Sequence, residues 1–128
     1  AIKQKYLDSF PKYSNWAYSL LEKSINSGEL ANFRKVSLGI IATGDQFISN
    51  KLLISKLADE IPGLSAVEME GASVAQVAYQ EGVPWLIIRV ISDSADDKAA
   101  DNFNLFIEKY KESSWTLIET LLRNINSL

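Results

Sequence analysis

The spacing of hydrophobic and polar positions changes several times along this chain, and each change marks an element. Between Trp16 and Ile25, Ala17, Leu20, Leu21 and Ile25 recur at helical spacing. A helix is predicted there, capped by Ser14 or Asn15 and stopped near Gly28. The run Val36-Ser37-Leu38-Gly39-Ile40-Ile41-Ala42 is short and β-branched and closes on Thr43-Gly44-Asp45, the pattern of a buried strand ending in a turn. Asn50 to Glu60 is predicted as a helix ended by Pro62-Gly63, and Leu64 to Met69 as a second strand. Gly71 to Glu81 carries Ala72, Val74, Ala75, Val77 and Ala78 before Gly82, a helix of small residues suited to close packing on a sheet. After Pro84, Trp85-Leu86-Ile87-Ile88-Arg89-Val90-Ile91 is the most apolar stretch and the third predicted strand. Ser92 to Asn102 is polar and loop-like, and Phe103 to Ile125 is one long amphipathic helix.

Strands alternating with helices predict an α/β fold with a parallel sheet of βαβ units, whose ligands sit at the carboxyl ends of the strands. Three apolar strands make a thin sheet. Buried parallel strands need neighbours and a helical layer on each face, so further strands are expected beside these. With 128 residues, 47% of them hydrophobic, the chain amounts to one domain or a piece of one.

Charge and composition narrow the chemistry. Thirteen basic and 16 acidic residues give a net charge of −3 with no basic stripe, so nucleic acid is not an expected partner. No apolar run approaches the roughly 20 residues that span a bilayer, and the first residues lack a signal-peptide core; the expectation is a cytoplasmic protein with no membrane partner. The sequence has no cysteine and no histidine. Disulfides, thiolate nucleophiles, Ser-His-Asp sites and imidazole metal sites are thereby removed, no metal or cofactor is expected, and carboxylates are left as the proton-transfer groups.

Each predicted strand ends in polar residues that would converge at one sheet edge: Thr43 to Ile48, Glu68-Met69-Glu70-Gly71, and Ser92-Asp93-Ser94-Ala95-Asp96. Each has a structural explanation as well as a functional one, since Asp45 suits an Asx turn, Glu70 suits a helix N-terminus and Asp93 suits a loop cap. Glu68 and Glu70 would share a face if the strand continued through them, and would repel unless a ligand hydroxyl or a cation lay between them. Arg89 is a candidate buried partner for such a carboxylate. Phe10, Trp16, Tyr18, Trp85 and Trp115 are expected to be core or interface aromatics.

The ordered motifs Gly-Asp-Gln-Phe-Ile, Val-Glu-Met-Glu-Gly-Ala and Arg-Val-Ile-Ser-Asp-Ser-Ala-Asp resemble the nucleosidase branch of the purine nucleoside phosphorylase/uridine phosphorylase superfamily. Among its members the chain is most similar to the bacterial 5′-methylthioadenosine/S-adenosylhomocysteine nucleosidases, from about Phe10 onward. The resemblance implies a three-layer αβα fold and hydrolysis of an N-glycosidic bond with release of adenine. It implies that Asp93 protonates N7 of the leaving base, oriented by Ser92. Phe47 would stack on the purine and the Ile48 backbone would bond its edge. Glu70 would hold the ribose hydroxyls, Met69 would pack on the sugar, Glu68 would belong to the same substrate-binding group, and Phe103 would line the pocket for the 5′-alkylthio group. An oxocarbenium-like transition state favours leaving-group protonation and a nearby carboxylate. Asp93 must then be protonated near neutral pH, its pKa raised from about 3.9 by burial or by carboxylates such as Glu68 and Glu70.

Family members are longer, and their N-terminal half supplies a glycine-bearing first strand and the Glu that activates water. Neither has a match here, so residues 1–128 are expected to be the C-terminal portion of a single nucleosidase domain, weakly active or inactive alone. Its expected partners are a purine nucleoside and the missing half or a second subunit, the family being typically homodimeric. A purine nucleoside phosphorylase and a non-catalytic nucleoside-binding or assembly chain are the alternatives left open.

Overall fold

The computed structural model describes residues 4–92 and 99–128. The chain divides into two compact units, one of residues 1–38 with 108–128 and one of residues 39–107.

The first unit is helical. Helix α1 spans Gln4–Asn26, twelve residues earlier than the spacing predicts, so neither Ser14 nor Asn15 is its cap; the Ser14 hydroxyl instead donates to the Pro11 carbonyl. Pro11 lies inside the helix and lacks the N–H that would continue the ladder there. Beyond the end of α1, Gly28 adopts φ +91°, the left-handed conformation that favours glycine. Helix α4 spans Ala99–Arg123 and is followed by a 3₁₀ turn at Ile125–Ser127. Residues 99–102 are therefore helical and not loop, while the remainder of that predicted loop, 93–98, lies outside the described residues.

Ala17, Leu21 and Ser24 of α1 and Ser113, Leu117 and Thr120 of α4 are buried, with Leu30 between the helices in sequence. Both sets repeat as i, i+4, i+7, the spacing of one helix face. Small side chains at four of these six positions allow close backbone approach. The polar ones are satisfied: Thr120 donates to the Thr116 carbonyl at 2.7 Å and Asn32 donates to Ser113 at 2.7 Å. Trp16 donates its indole N–H to Ser127 at 3.0 Å, and Phe33 meets Tyr110 edge to face at 6.3 Å. Trp115, expected in a core or interface, is 66% exposed.

The second unit is a βαβα segment: β1 Ile40–Thr43, α2 Lys51–Glu60, β2 Leu64–Glu68 and α3 Gly71–Glu81. The strands are parallel, with Ile41 opposite Ala66, Ala42 opposite Val67 and Thr43 opposite Glu68. The first strand begins at Ile40 and not at Val36, because pairing starts only where the backbone meets Gly63 and Leu64; the register is irregular between Ile40 and Ile41. Helix α2 is capped by Asn50, whose side chain accepts from the N–H groups of Leu52 at 2.9 Å and Leu53 at 3.4 Å, a contribution of about 1 kcal/mol. Gly82 ends α3 in the left-handed conformation, φ +69°.

The third predicted strand, Trp85–Ile91, joins no sheet: the described residues contain one two-stranded sheet. Leu86 (36% exposed), Ile88 (37%) and Ile91 (62%) remain in contact with solvent. A parallel strand obtains every ladder hydrogen bond from its neighbours, and the sequence of the segment supplies apolar side chains but no neighbour.

Candidate functional site

The site is organised by the end of the parallel pair. Thr43 and Glu68 are the last residues of β1 and β2 and stand opposite one another in register, so their side chains meet directly. The Thr43 hydroxyl donates to Glu68 Oε1 and accepts from the Ala72 N–H at 2.9 Å. Glu68 turns back over the first turn of α3, accepting from the Glu70 N–H at 3.0 Å and from the Gly71 N–H at 2.9 and 2.7 Å. These are donors that a helix N-terminus leaves without intrahelical partners, and a carboxylate there also meets the positive end of the helix dipole.

Arg89 completes the cluster. Its Nη2 lies 2.8 Å from Glu68 Oε2 and 2.5 Å from Glu70 Oε2. It is the cation between the two carboxylates, although at 37% side-chain exposure it is not the buried partner expected. Because β2 ends at Glu68, the two glutamates do not share a strand face; the chain turns between them. Their exposures differ accordingly. The Glu68 side chain is 5% exposed and the Glu70 side chain 67%, so Glu68 is committed to the protein and Glu70 projects its carboxylate outward.

Burial works against ionising Glu68. The hydrogen bonds from Thr43 and from the backbone of Glu70 and Gly71, together with the Arg89 charge, outweigh it and hold the carboxyl below its ordinary value of 4.5. A lowered folded-state pKa stabilises the fold above the ordinary value, and that stabilisation is lost as pH falls through the lower one. Titration followed at the Gly71 amide proton is therefore expected to inflect below 4.5; an inflection at or above it would contradict the arrangement.

Gly71 is needed for this approach. A Cβ at that position would lie 2.8 Å from Glu68 Oε1 and 3.1 Å from its Cδ, and the carboxylate is tied down by four partner groups. Gly71→Ala is expected to displace Glu68 and destabilise the unit by about 1–3 kcal/mol, the cost of leaving such donors unsatisfied. Urea midpoints of the variant and parent check this.

Phe47, Ile48, Met69 and Phe103 make none of the side-chain hydrogen bonds described above. Phe47 and Ile48 lie in the connection after β1, Phe47 at 56% exposure; Met69, between the two glutamates, is 44% exposed. Ser92 is half-buried at the end of the irregular segment, and Phe103 is 43% exposed on α4. Asp93, the expected proton donor, lies outside the described residues. The sequence places Thr43 at a convergent strand end without giving it a role; only the parallel register brings its hydroxyl onto Glu68. Among the described residues, no group of three or more acidic side chains is placed to hold a metal ion, and no helix is long and apolar enough to cross a membrane.

The chain is 36% identical over 105 residues to the 5′-methylthioadenosine/S-adenosylhomocysteine nucleosidase of Glaesserella parasuis, covering 82% of the chain and 45% of that protein. It is 43% identical over 96 residues to the aminodeoxyfutalosine nucleosidase of Helicobacter pylori, covering 73% and 41%. Among solved structures, the 5′-methylthioadenosine/S-adenosylhomocysteine nucleosidase of Neisseria meningitidis in complex with methylthio-immucillin-A superposes with a TM-score of 0.67 at 30% identity, over 82% of the chain and 46% of that structure. The chain thus spans less than half the length of the relatives it matches, and its βαβα unit is an incomplete part of the nucleoside phosphorylase-type α/β fold. The family model of the phosphorylase superfamily matches residues 2–123, and on that match, nearly end to end, the chain belongs to the phosphorylase superfamily.

Proposed function

We propose that residues 1–128 are the C-terminal portion of a purine nucleosidase that hydrolyses the N-glycosidic bond of 5′-methylthioadenosine and S-adenosylhomocysteine and releases adenine. The observation that carries the reading is the similarity to two kinds of nucleosidase, at 36% and 43% identity over 82% and 73% of the chain. The outward carboxylate of Glu70, at the carboxyl end of a parallel strand, supports it, because that is where α/β sheets take ligands. Glu70 would accept from the ribose hydroxyls, Met69 and Phe103 would pack against the sugar and its 5′-substituent, and Phe47 with the Ile48 backbone would hold the base. Asp93, oriented by Ser92, would deliver a proton to N7, so that a neutral base departs from an oxocarbenium-like sugar. The water-activating group belongs to the remainder of the protein, and the assembled enzyme is cytoplasmic and homodimeric in this reading.

The higher identity to the aminodeoxyfutalosine nucleosidase favours a second substrate of the same class, with the same bond cleaved. The test is adenine release from methylthioadenosine, S-adenosylhomocysteine and aminodeoxyfutalosine, by the complete protein and by residues 1–128 alone, with phosphate absent and present. Phosphate-independent release by the complete protein is expected, with little or none from the shorter chain. Release that requires phosphate would make the protein a phosphorylase, and tight binding without release would make it a nucleoside-binding protein.

A further inference from the structure

We propose that Glu68 is a positioning residue: through Arg89 and the Glu70 backbone it fixes the outward carboxylate of Glu70 that receives the sugar. The inference rests on the nucleosidase reading for the identity of the ligand, and on the geometry of the cluster for the positioning itself.

Glu68 holds its neighbour twice. Its Oε2 accepts the Glu70 N–H at 3.0 Å and lies 2.8 Å from Arg89 Nη2, and that same nitrogen lies 2.5 Å from Glu70 Oε2. A glutamate 67% exposed would ordinarily exchange among several rotamers. Here its main chain and its carboxylate are both referred to one oxygen of a side chain that is 5% exposed. Glu68 is itself anchored to the Thr43 hydroxyl at the end of β1 and to the Gly71 N–H at the start of α3, so the position of Glu70 is set by the sheet and the helix together. Sharing one guanidinium between two carboxylates leaves one net negative charge at the strand end, the sign that suits a sugar acquiring positive charge. Glu68 has no spare role as a ligand group. The preceding carboxylate of the Glu-Met-Glu motif orients, and the following one binds.

The experiment compares the complete protein with Glu68→Gln, Glu70→Gln, the double variant and Thr43→Val. Glu68→Gln is expected to raise KM for methylthioadenosine about tenfold or more, the scale of a lost charge-assisted hydrogen bond, while the Kd of free adenine stays within about twofold because the base contacts are untouched. Adding Glu68→Gln to Glu70→Gln is expected to cost less than about threefold further, since both act on one interaction. Thr43→Val, which keeps the Glu68 charge and loosens its anchor, should show the same KM-selective pattern at smaller size. A normal KM in Glu68→Gln beside a raised one in Glu70→Gln overturns the positioning role and leaves the nucleosidase reading standing, as does equal weakening of adenine and nucleoside. Carbon relaxation at the Glu70 carboxyl tests positioning without substrate. It should report an ordered group in the parent and a mobile one in Glu68→Gln; equal order in both overturns the proposal whether or not the protein cleaves nucleosides.

Discussion

Replacing Asp93 by Asn in the complete protein is expected to lower kcat for adenine release by about 10²- to 10⁴-fold, or about 3–5 kcal/mol in the barrier. Asn keeps the shape and can still donate a hydrogen bond, but it has no proton to give. Without that proton the base must leave as an anion from a sugar that is becoming positive, and the enzyme retains only whatever stabilisation binding and the Glu70 carboxylate provide. KM should change little, since the contact is strengthened chiefly as the bond breaks. The pH profile gives an independent sign. A general acid works only while protonated, so if Asp93 is that acid kcat of the parent should fall as pH rises through its pKa, and the Asn variant should lack that limb. A loss under about tenfold, or an unchanged basic limb, would remove Asp93 from the role of acid.

The parts of the fold legible from the sequence are those whose hydrogen bonds are local. Helices α2 and α3 begin and end where Asn50, Gly71 and Gly82 place them, because a helix satisfies its backbone within a few residues and announces its ends with caps. The second strand is also correctly placed, ending one residue before Met69. What escaped the sequence is non-local. The start of β1 depends on where Gly63 and Leu64 come alongside, and the segment Trp85–Ile91 has a strand's composition without a strand's neighbours. Alternation cannot distinguish the two cases. The sequence predicts too short an α1 because the polar residues around Ser14 and Pro11 interrupt the local pattern, although the helix runs through them.

The candidate site divides in the same way. A pair of glutamates flanking Met69 and an arginine in the next predicted strand could be picked out as partners, but which glutamate faces inward could not. That follows from the parallel register, which puts the Thr43 hydroxyl opposite Glu68, and from the turn that sends Glu70 outward. Once the register is known the roles separate: a carboxylate with hydroxyl, amide and guanidinium partners at 5% exposure is structural, and one at 67% exposure with a single cationic partner is available to a ligand.

Hydrogen exchange on residues 1–128 alone is expected to show two very different levels of protection. The buried apolar side chains Ala17, Leu21, Leu30 and Leu117 all belong to the helical unit, whereas in the βαβα unit Gly71 is the one buried residue among those described. A two-stranded sheet by itself is marginal, and here Ile40 remains 47% exposed, Leu86 36% and Ile88 37%. Amides of Ile41 to Gly44 and Ala66 to Glu68 should therefore exchange at least about 100-fold faster than those near Leu21 and Leu117, reflecting a local opening energy well below that of the helical unit. Supplying the remainder of the fold should reverse this. Ile40, Leu86 and Ile88 are already more than half covered, so covering what remains is worth about 2–4 kcal/mol, and β1 and β2 amides should slow by about 30- to 10³-fold in the complete protein. The Glu68 network would then rest on a rigid sheet, which is what placing Glu70 to within a hydrogen bond requires. Equal protection of both units in the shorter chain would show that the βαβα unit is stable without further strands, and would remove the physical reason for expecting that chain to be inactive.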